Sequence, residues 1–137
     1  MPKQKQWFKL DNAAKIYPAS HSRSWSNLFR LSATLYENVD LKVLEQAIKN
    51  TIPRFPSIAA KLKRGLFWYY LQPVDEPPAI LAEYSYPLAY MTKKEMMECA
   101  FRVIVYRKRI AMAWRLCLYT RVYSRDVIAL FVVVLRV

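Results

Sequence analysis

Apolar and polar side chains alternate over residues 27–36, with Phe29, Leu31, Ala33 and Leu35 on one side and Arg30, Ser32 and Thr34 on the other. A period of two predicts a strand with one buried face. The pattern changes after Asp40, where Leu41, Leu44 and Ile48 recur at helical spacing. The Asp40 carboxylate can accept hydrogen bonds from the open amides of that helix's first turn. Pro53 ends the helix, because proline has no N–H to donate and pushes the preceding Ile52 toward extended backbone. Pro56 opens a short segment over 57–64, and Gly65 leads into the apolar run 66–71, which is expected to be a buried strand. Residues 72–78 hold Pro73, Pro77 and Pro78 and must be a loop. A short edge strand is expected over 80–84, a helical turn over 92–99 and a strand over 101–106. The polar Arg107-Lys108-Arg109 then separates that strand from an apolar stretch over 110–114. This predicts a hairpin, though its turn lacks Asn-Gly or Asp-Gly. The run 127–137 is expected to be a buried strand or an apolar tail, with an oligomer contact as the alternative. Residues 1–26 are polar and basic, with scattered aromatics (Trp7, Phe8, Tyr17, Trp25) and little sign of regular structure. The order strand, helix, strand, loop, strand, strand is a mixed α/β unit without an internal repeat: a mixed sheet with helices packed on one face.

Composition narrows the possibilities. A chain of 137 residues suits one hydrophobic core, and an apolar fraction of 55% excludes disorder. Gly65 is the sole glycine, so glycine-rich phosphate cradles are excluded. The net charge of +12 comes from basic residues distributed along the whole sequence. A nucleic-acid site would gather them on one face with aromatic platforms. Here most aromatics fall in apolar runs such as 66–71, where burial is the simpler account. A diffuse basic surface that attracts an anionic ligand is expected instead, with no nucleic acid as partner. Cys99 and Cys117 have neither metal-ligand spacing nor disulfide logic, and read as reduced packing residues of a cytoplasmic protein. No apolar signal segment opens the chain, and the run 127–135 falls far short of the ~20 residues that span a bilayer. No transmembrane segment is expected.

Three stretches, in this order, resemble the chloramphenicol-acetyltransferase-like superfamily of CoA-dependent acyltransferases, which includes alcohol acetyltransferases and the condensation domains of nonribosomal peptide synthetases. Lys9-Leu-Asp-Asn-Ala-Ala-Lys-Ile-Tyr-Pro18 is similar to the opening of bacterial alcohol-acetyltransferase-type proteins. Asp40-Leu-Lys-Val-Leu-Glu-Gln-Ala-Ile-Lys49, with Pro53-Arg-Phe-Pro-Ser-Ile58, resembles the first helix and the RxPxL segment after it. Gly65-Leu-Phe-Trp-Tyr-Tyr-Leu71 and Phe101-Arg-Val-Ile-Val-Tyr106 look like strands that lead toward the active site. The resemblance covers residues 8–113 and implies the N-terminal lobe of a two-lobed fold. Full-length relatives would take an acyl-CoA donor, with the reaction in a tunnel between the lobes. It also implies a general-base histidine in an HHxxxDG motif after the strand at 110–113. That base must take the acceptor's hydroxyl or amine proton as it attacks the thioester.

The motif is missing. After Ala113 the sequence continues Trp114-Arg-Leu-Cys-Leu-Tyr-Thr-Arg-Val-Tyr-Ser-Arg125, without histidine, and Asp126 is followed by Val127 rather than glycine. The expected organisation is therefore a partial N-terminal lobe over 1–113 and a divergent apolar segment over 114–137. A reading-frame change near residue 113, or a decayed gene, would account for it. No residue is assigned to catalysis. His21, the single histidine, lies before the first strand with no carboxylate to orient it, among Ser20, Ser22, Ser24 and Ser26, which read as a polar loop. Asp75 and Glu76 fall in the proline-rich loop, where solvation is the default. One histidine and two distant cysteines cannot hold a metal, so no metal and no cofactor are expected. Tyr84, Tyr86 and Tyr90 could line a substrate pocket, although packing against the sheet is the plainer expectation. The expected function is a fragment related to acyl-CoA-dependent O- or N-acyltransferases, inactive alone. The competing reading is a small non-catalytic basic module that binds an anionic partner and self-associates through its apolar C-terminus; a third is peripheral membrane attachment through basic residues and the apolar tail.

Overall fold

The computed structural model describes residues 7–10, 15, 22, 24, 28–56, 58–84, 86–115 and 124–135. Its elements are β1 (Phe8–Lys9), β2 (Leu28–Thr34), α1 (Leu41–Thr51), a 3-10 turn (Ile52–Arg54), β3 (Ala60–Arg64), β4 (Tyr69–Pro73), β5 (Ile80–Ala82), α2 (Lys93–Glu98), β6 (Phe101–Tyr106), β7 (Arg109–Arg115) and α3 (Ser124–Leu135). The mixed α/β class is as expected, but the strands divide into two sheets. One is antiparallel in the order β1-β4-β3; the other runs β2-β7-β6-β5 and is mixed, because β5 lies parallel to β6.

The alternation at 27–36 produces β2 as expected, and its register separates the two faces of the larger sheet. Residues directly opposite across a ladder share a face. Leu31, Met112, Val103 and Ile80 form one row, and Ala33, Ile110, Val105 and Ala82 the next. These belong to the core or pack against it, apart from exposed Ala82. α1 and α3 contribute Leu44, Ala47, Ile48, Phe131 and Val134 to the same cluster. On the opposite face lie Arg30, Ala113 and Arg102 in one row, then Ser32, Ala111, Ile104 and Leu81. That face is polar at its outer strand and carries small alanines at its centre.

α1 is capped as its sequence predicts: Asp40 accepts from the amides of Lys42 and Val43 at 2.9 and 3.3 Å. Its buried stripe, however, is Leu44, Ala47, Ile48 and Thr51, whereas Leu41 is exposed. Pro53 does not stop the chain from turning. It sits in the first turn of the 3-10 segment, where a missing N–H removes no intrahelical bond.

Two expectations are overturned. The run 66–71 is not one buried strand. The Gly65 amide donates to the Trp68 carbonyl at 2.7 Å and closes a hairpin whose tip is Leu66, Phe67 and Trp68, respectively 95%, 86% and 51% exposed. The turn is tight enough that a Cβ at residue 65 would meet the Trp68 carbonyl oxygen at 3.0 Å. The strands on either side pair Leu62 with Leu71, both buried, and β4 extends through Gln72 and Pro73 into the expected loop. The run 127–135 is not a strand or a loose tail either; it belongs to helix α3. A continuous apolar run has no period of its own, and here Phe131 and Val134, three apart, turn inward.

Candidate functional site

The polar face of the larger sheet gathers charge. Arg30 leaves β2 on the same side as Arg109 of β7, and Glu83, just beyond β5, lies between them. The Arg30 Nη2 donates to Glu83 Oε1 at 2.7 Å; the Arg109 Nη2 and Nε donate to Oε2 at 2.7 and 3.2 Å. The Arg30 and Glu83 side chains are each only 10% exposed. Burial alone pushes the Glu83 carboxyl pKa up, but the hydrogen bonds and charges of Arg109 and Arg30 outweigh it and hold the group below its ordinary value. Glu83 is thus a locked carboxylate.

The connection from β5 to α2 folds over this face and is fastened by arginines. Arg30 Nη1 donates to the Pro87 carbonyl at 3.1 Å and Arg102 Nη2 to the Ala89 carbonyl at 2.6 Å. Beneath lies a cavity of about 160 Å³ lined by Arg30, Glu83, Tyr84, Tyr86, Tyr90 and Arg102, among others. The three tyrosines therefore line a pocket. Tyr84 and Tyr86 are largely exposed and do not pack against the sheet; their segment crosses over the charged row instead of joining a strand. The sheet edge ends at Ala82, short of the expected Tyr84.

Arg102 also borders a second, larger cavity of about 570 Å³ between the proline-rich loop and α2, with Lys61, Asp75, Glu76, Glu95, Glu98 and Cys99 on its walls. Burial lowers the Arg102 pKa, Glu95's charge raises it and Arg30's lowers it, but a guanidinium stays protonated at neutral pH. Its Nε is buried without a hydrogen-bond partner, and so is the indole Nε1 of Trp114. Asp75 and Glu76 are exposed, as expected of that loop. Cys99 is half-buried and its thiol pKa is pushed up by burial, which keeps it in the unreactive protonated form.

His21, Ser20, Ser26, Cys117 and the segment 116–123, where the resemblance puts the general base, lie outside the described residues. Ser22 and Ser24 are exposed, with their hydroxyls 3.2 Å apart. Among the described residues no group of three His, Cys, Asp or Glu could hold a metal ion. Among the described residues no helix is long and apolar enough to cross a membrane. The arrangement therefore offers fixed positive charge and a captive carboxylate. Glu83, with its pKa lowered and both oxygens bonded, is a poor proton acceptor. Pattern reading places Arg30 on the polar side of β2, but it could not have found Glu83, 53 positions on, as its partner.

Solved structures share this architecture, and the likeness shows the fold alone: a mixed α/β arrangement. Polyketide synthase associated protein 5 from Mycobacterium tuberculosis superposes with a TM-score of 0.51 at 11% identity, over 80% of this chain and 27% of that one. The nonribosomal peptide synthetase FmoA3, in its α-methyl-L-serine-AMP-bound form, superposes with a TM-score of 0.51 at 14% identity, over 86% of this chain and 14% of that one. The chain thus spans about a quarter or less of these proteins. No family profile and no curated protein matches it.

Proposed function

We propose that the chain is a fragment related to acyl-CoA-dependent O- or N-acyltransferases of the alcohol-acetyltransferase kind, without a general base of its own and inactive alone. The fold likeness supports the ancestry, as do the three sequence stretches that resemble the superfamily. One observation carries the loss of activity: from Ala113 onward the sequence contains no histidine. Glu83 is a poor substitute, because two guanidiniums lower its basicity and occupy both its oxygens. A missing base removes about 10²–10⁴ in rate, and the positioning of the donor by a second lobe is a further contribution. A full-length relative would take acyl-CoA as donor, and a cytoplasmic location fits that substrate. Incubation of the purified chain with acetyl-CoA and a panel of alcohols and amines is expected to give no more thiol release than a heat-killed control. Turnover above that control overturns the reading.

A second reading, a non-catalytic basic binding module, is favoured by a different observation: the bare apolar tip of the β3–β4 hairpin.

A further inference from the structure

The hairpin of β3 and β4 ends in three consecutive large apolar residues, Leu66, Phe67 and Trp68, all exposed. Apolar residues scattered singly on a surface need no explanation, but three at one projecting tip do. The small sheet behind the tip supplies the chemical context. Lys9, Tyr70 and Lys63 are directly opposite one another across β1, β4 and β3, and so share a face. Trp7 packs edge-on against Tyr70 with ring centroids 6.3 Å apart and is itself 60% exposed. Arg64 is exposed at the end of β3 beside the tip. No aspartate or glutamate occurs anywhere between residues 46 and 74, so nothing along this stretch offsets the basic charge.

An apolar wedge, a tryptophan and tyrosine behind it, and a collar of lysine and arginine is the order of chemistries met on going from the acyl chains of a bilayer through its interface to an anionic headgroup layer. We propose that the β3–β4 hairpin tip is a membrane-surface anchor. Leu66, Phe67 and Trp68 insert at the acyl boundary of an anionic lipid surface, and Lys63 and Arg64 pair with headgroup phosphates and carboxylates. Single-stranded nucleic acid would also use basic and aromatic residues, but it stacks on flat rings beside a groove. A leucine at the apex of a projecting turn offers no stacking face. The tip lies apart from the Arg30–Glu83–Arg109 cluster, and the anchor is independent of whether the chain ever transferred an acyl group.

The test is co-sedimentation of the full chain with phosphatidylcholine vesicles and with mixed phosphatidylcholine–phosphatidylserine vesicles. Binding is expected only to the mixed vesicles and should weaken as salt screens the headgroup charge. Leu66→Ser/Phe67→Ser/Trp68→Ser, which alters only exposed side chains, should lower the partition coefficient by about tenfold or more while leaving the circular dichroism spectrum unchanged. Lys63→Ala/Arg64→Ala tests the collar without touching the wedge and should lower it about fivefold for each charge removed. Tryptophan emission should shift to the blue on vesicle addition, and the shift should be smaller in Trp68→Phe. Equal binding to both vesicle types, undiminished binding by the triple-serine protein, or binding to single-stranded oligonucleotides but not to vesicles each overturns the proposal. So does concentration-dependent dimerisation that the triple-serine change abolishes while the wild type ignores lipid.

Discussion

Two arginines from different strands converge on Glu83, so its charge has consequences for both. Replacement by glutamine keeps the size but removes the charge, and leaves the buried Arg30 guanidinium facing a neutral group. Breaking such a pair from one side costs about 3 kcal/mol, and Glu83→Gln is expected to lose that much at pH 7 in urea denaturation. The pH dependence has a defined sign. The folded-state pKa of Glu83 lies below its ordinary 4.5, so the stabilisation is complete above that value and disappears as pH falls through the folded pKa. The gap between wild type and Glu83→Gln should therefore narrow below about pH 4.5. A gap that stayed constant from pH 7 to pH 3 would show that the carboxylate's charge is not what holds these strands.

At the scale of elements, local chemistry explains most boundaries, and the exceptions are informative. The Thr92–Glu95 capping box marks the start of α2: the Thr92 hydroxyl accepts from the Glu95 amide at 3.2 Å while Glu95 accepts from the Thr92 amide at 2.6 Å. The β6–β7 hairpin lacks the glycine or asparagine that such a turn prefers. Arg107 adopts a φ of 50°, a conformation a side chain resists by about 1–2 kcal/mol. It is held there from outside: the carbonyls of Arg107 and Lys108 accept from the amides of Val39 and Leu35 at 2.9 and 2.7 Å, and the Lys108 ammonium donates to the Tyr36 carbonyl at 2.7 Å. Arg107→Gly relieves the strain, gives up a cation–π contact over the exposed Tyr106 ring, and is expected to raise stability by about 0.5 kcal/mol net, read as a higher denaturant midpoint. The hairpin was legible from its polar interruption. Its cause was not, because the bonds that stabilise it come from the β2–α1 connection some seventy residues earlier. The other hairpin shows the reverse. Leu66–Trp68 reads as the start of a strand by hydrophobicity, yet a single Gly65 amide bonded to the Trp68 carbonyl turns those residues out to solvent.

Over the whole molecule, one buried cluster extends from Leu10 to Val134, and α3 is part of it. Phe131 sits in this cluster beside α1, so Phe131→Ala should cost about 3 kcal/mol, whereas Val132→Ala, on the exposed side of the same helix, should change stability by less than about 0.5 kcal/mol. Thermal melts of the two variants separate a helix integrated into the core from an apolar appendage, which would show no difference between them. The alternation in β2 and the spacing in α1 made the fold class readable, because each is a local pattern with one period. The apolar run at 127–135 has no such period, so its helical form depends on the α1 surface it covers. The charged row was unreadable for a related reason. Arg30 and Arg109 come from two strands and Glu83 follows the end of a third, and only the pairing β2-β7-β6-β5 brings them together.

The arginines that fasten the β5–α2 connection grip the backbone: Arg30 takes the oxygen of Pro87 and Arg102 that of Ala89. A clasp on carbonyls is indifferent to which side chains the strap carries, so the exposed positions 84 and 86 can exchange tyrosine for other residues without loosening it. The small chamber beneath can in this way acquire a new lining while its walls stay where they are.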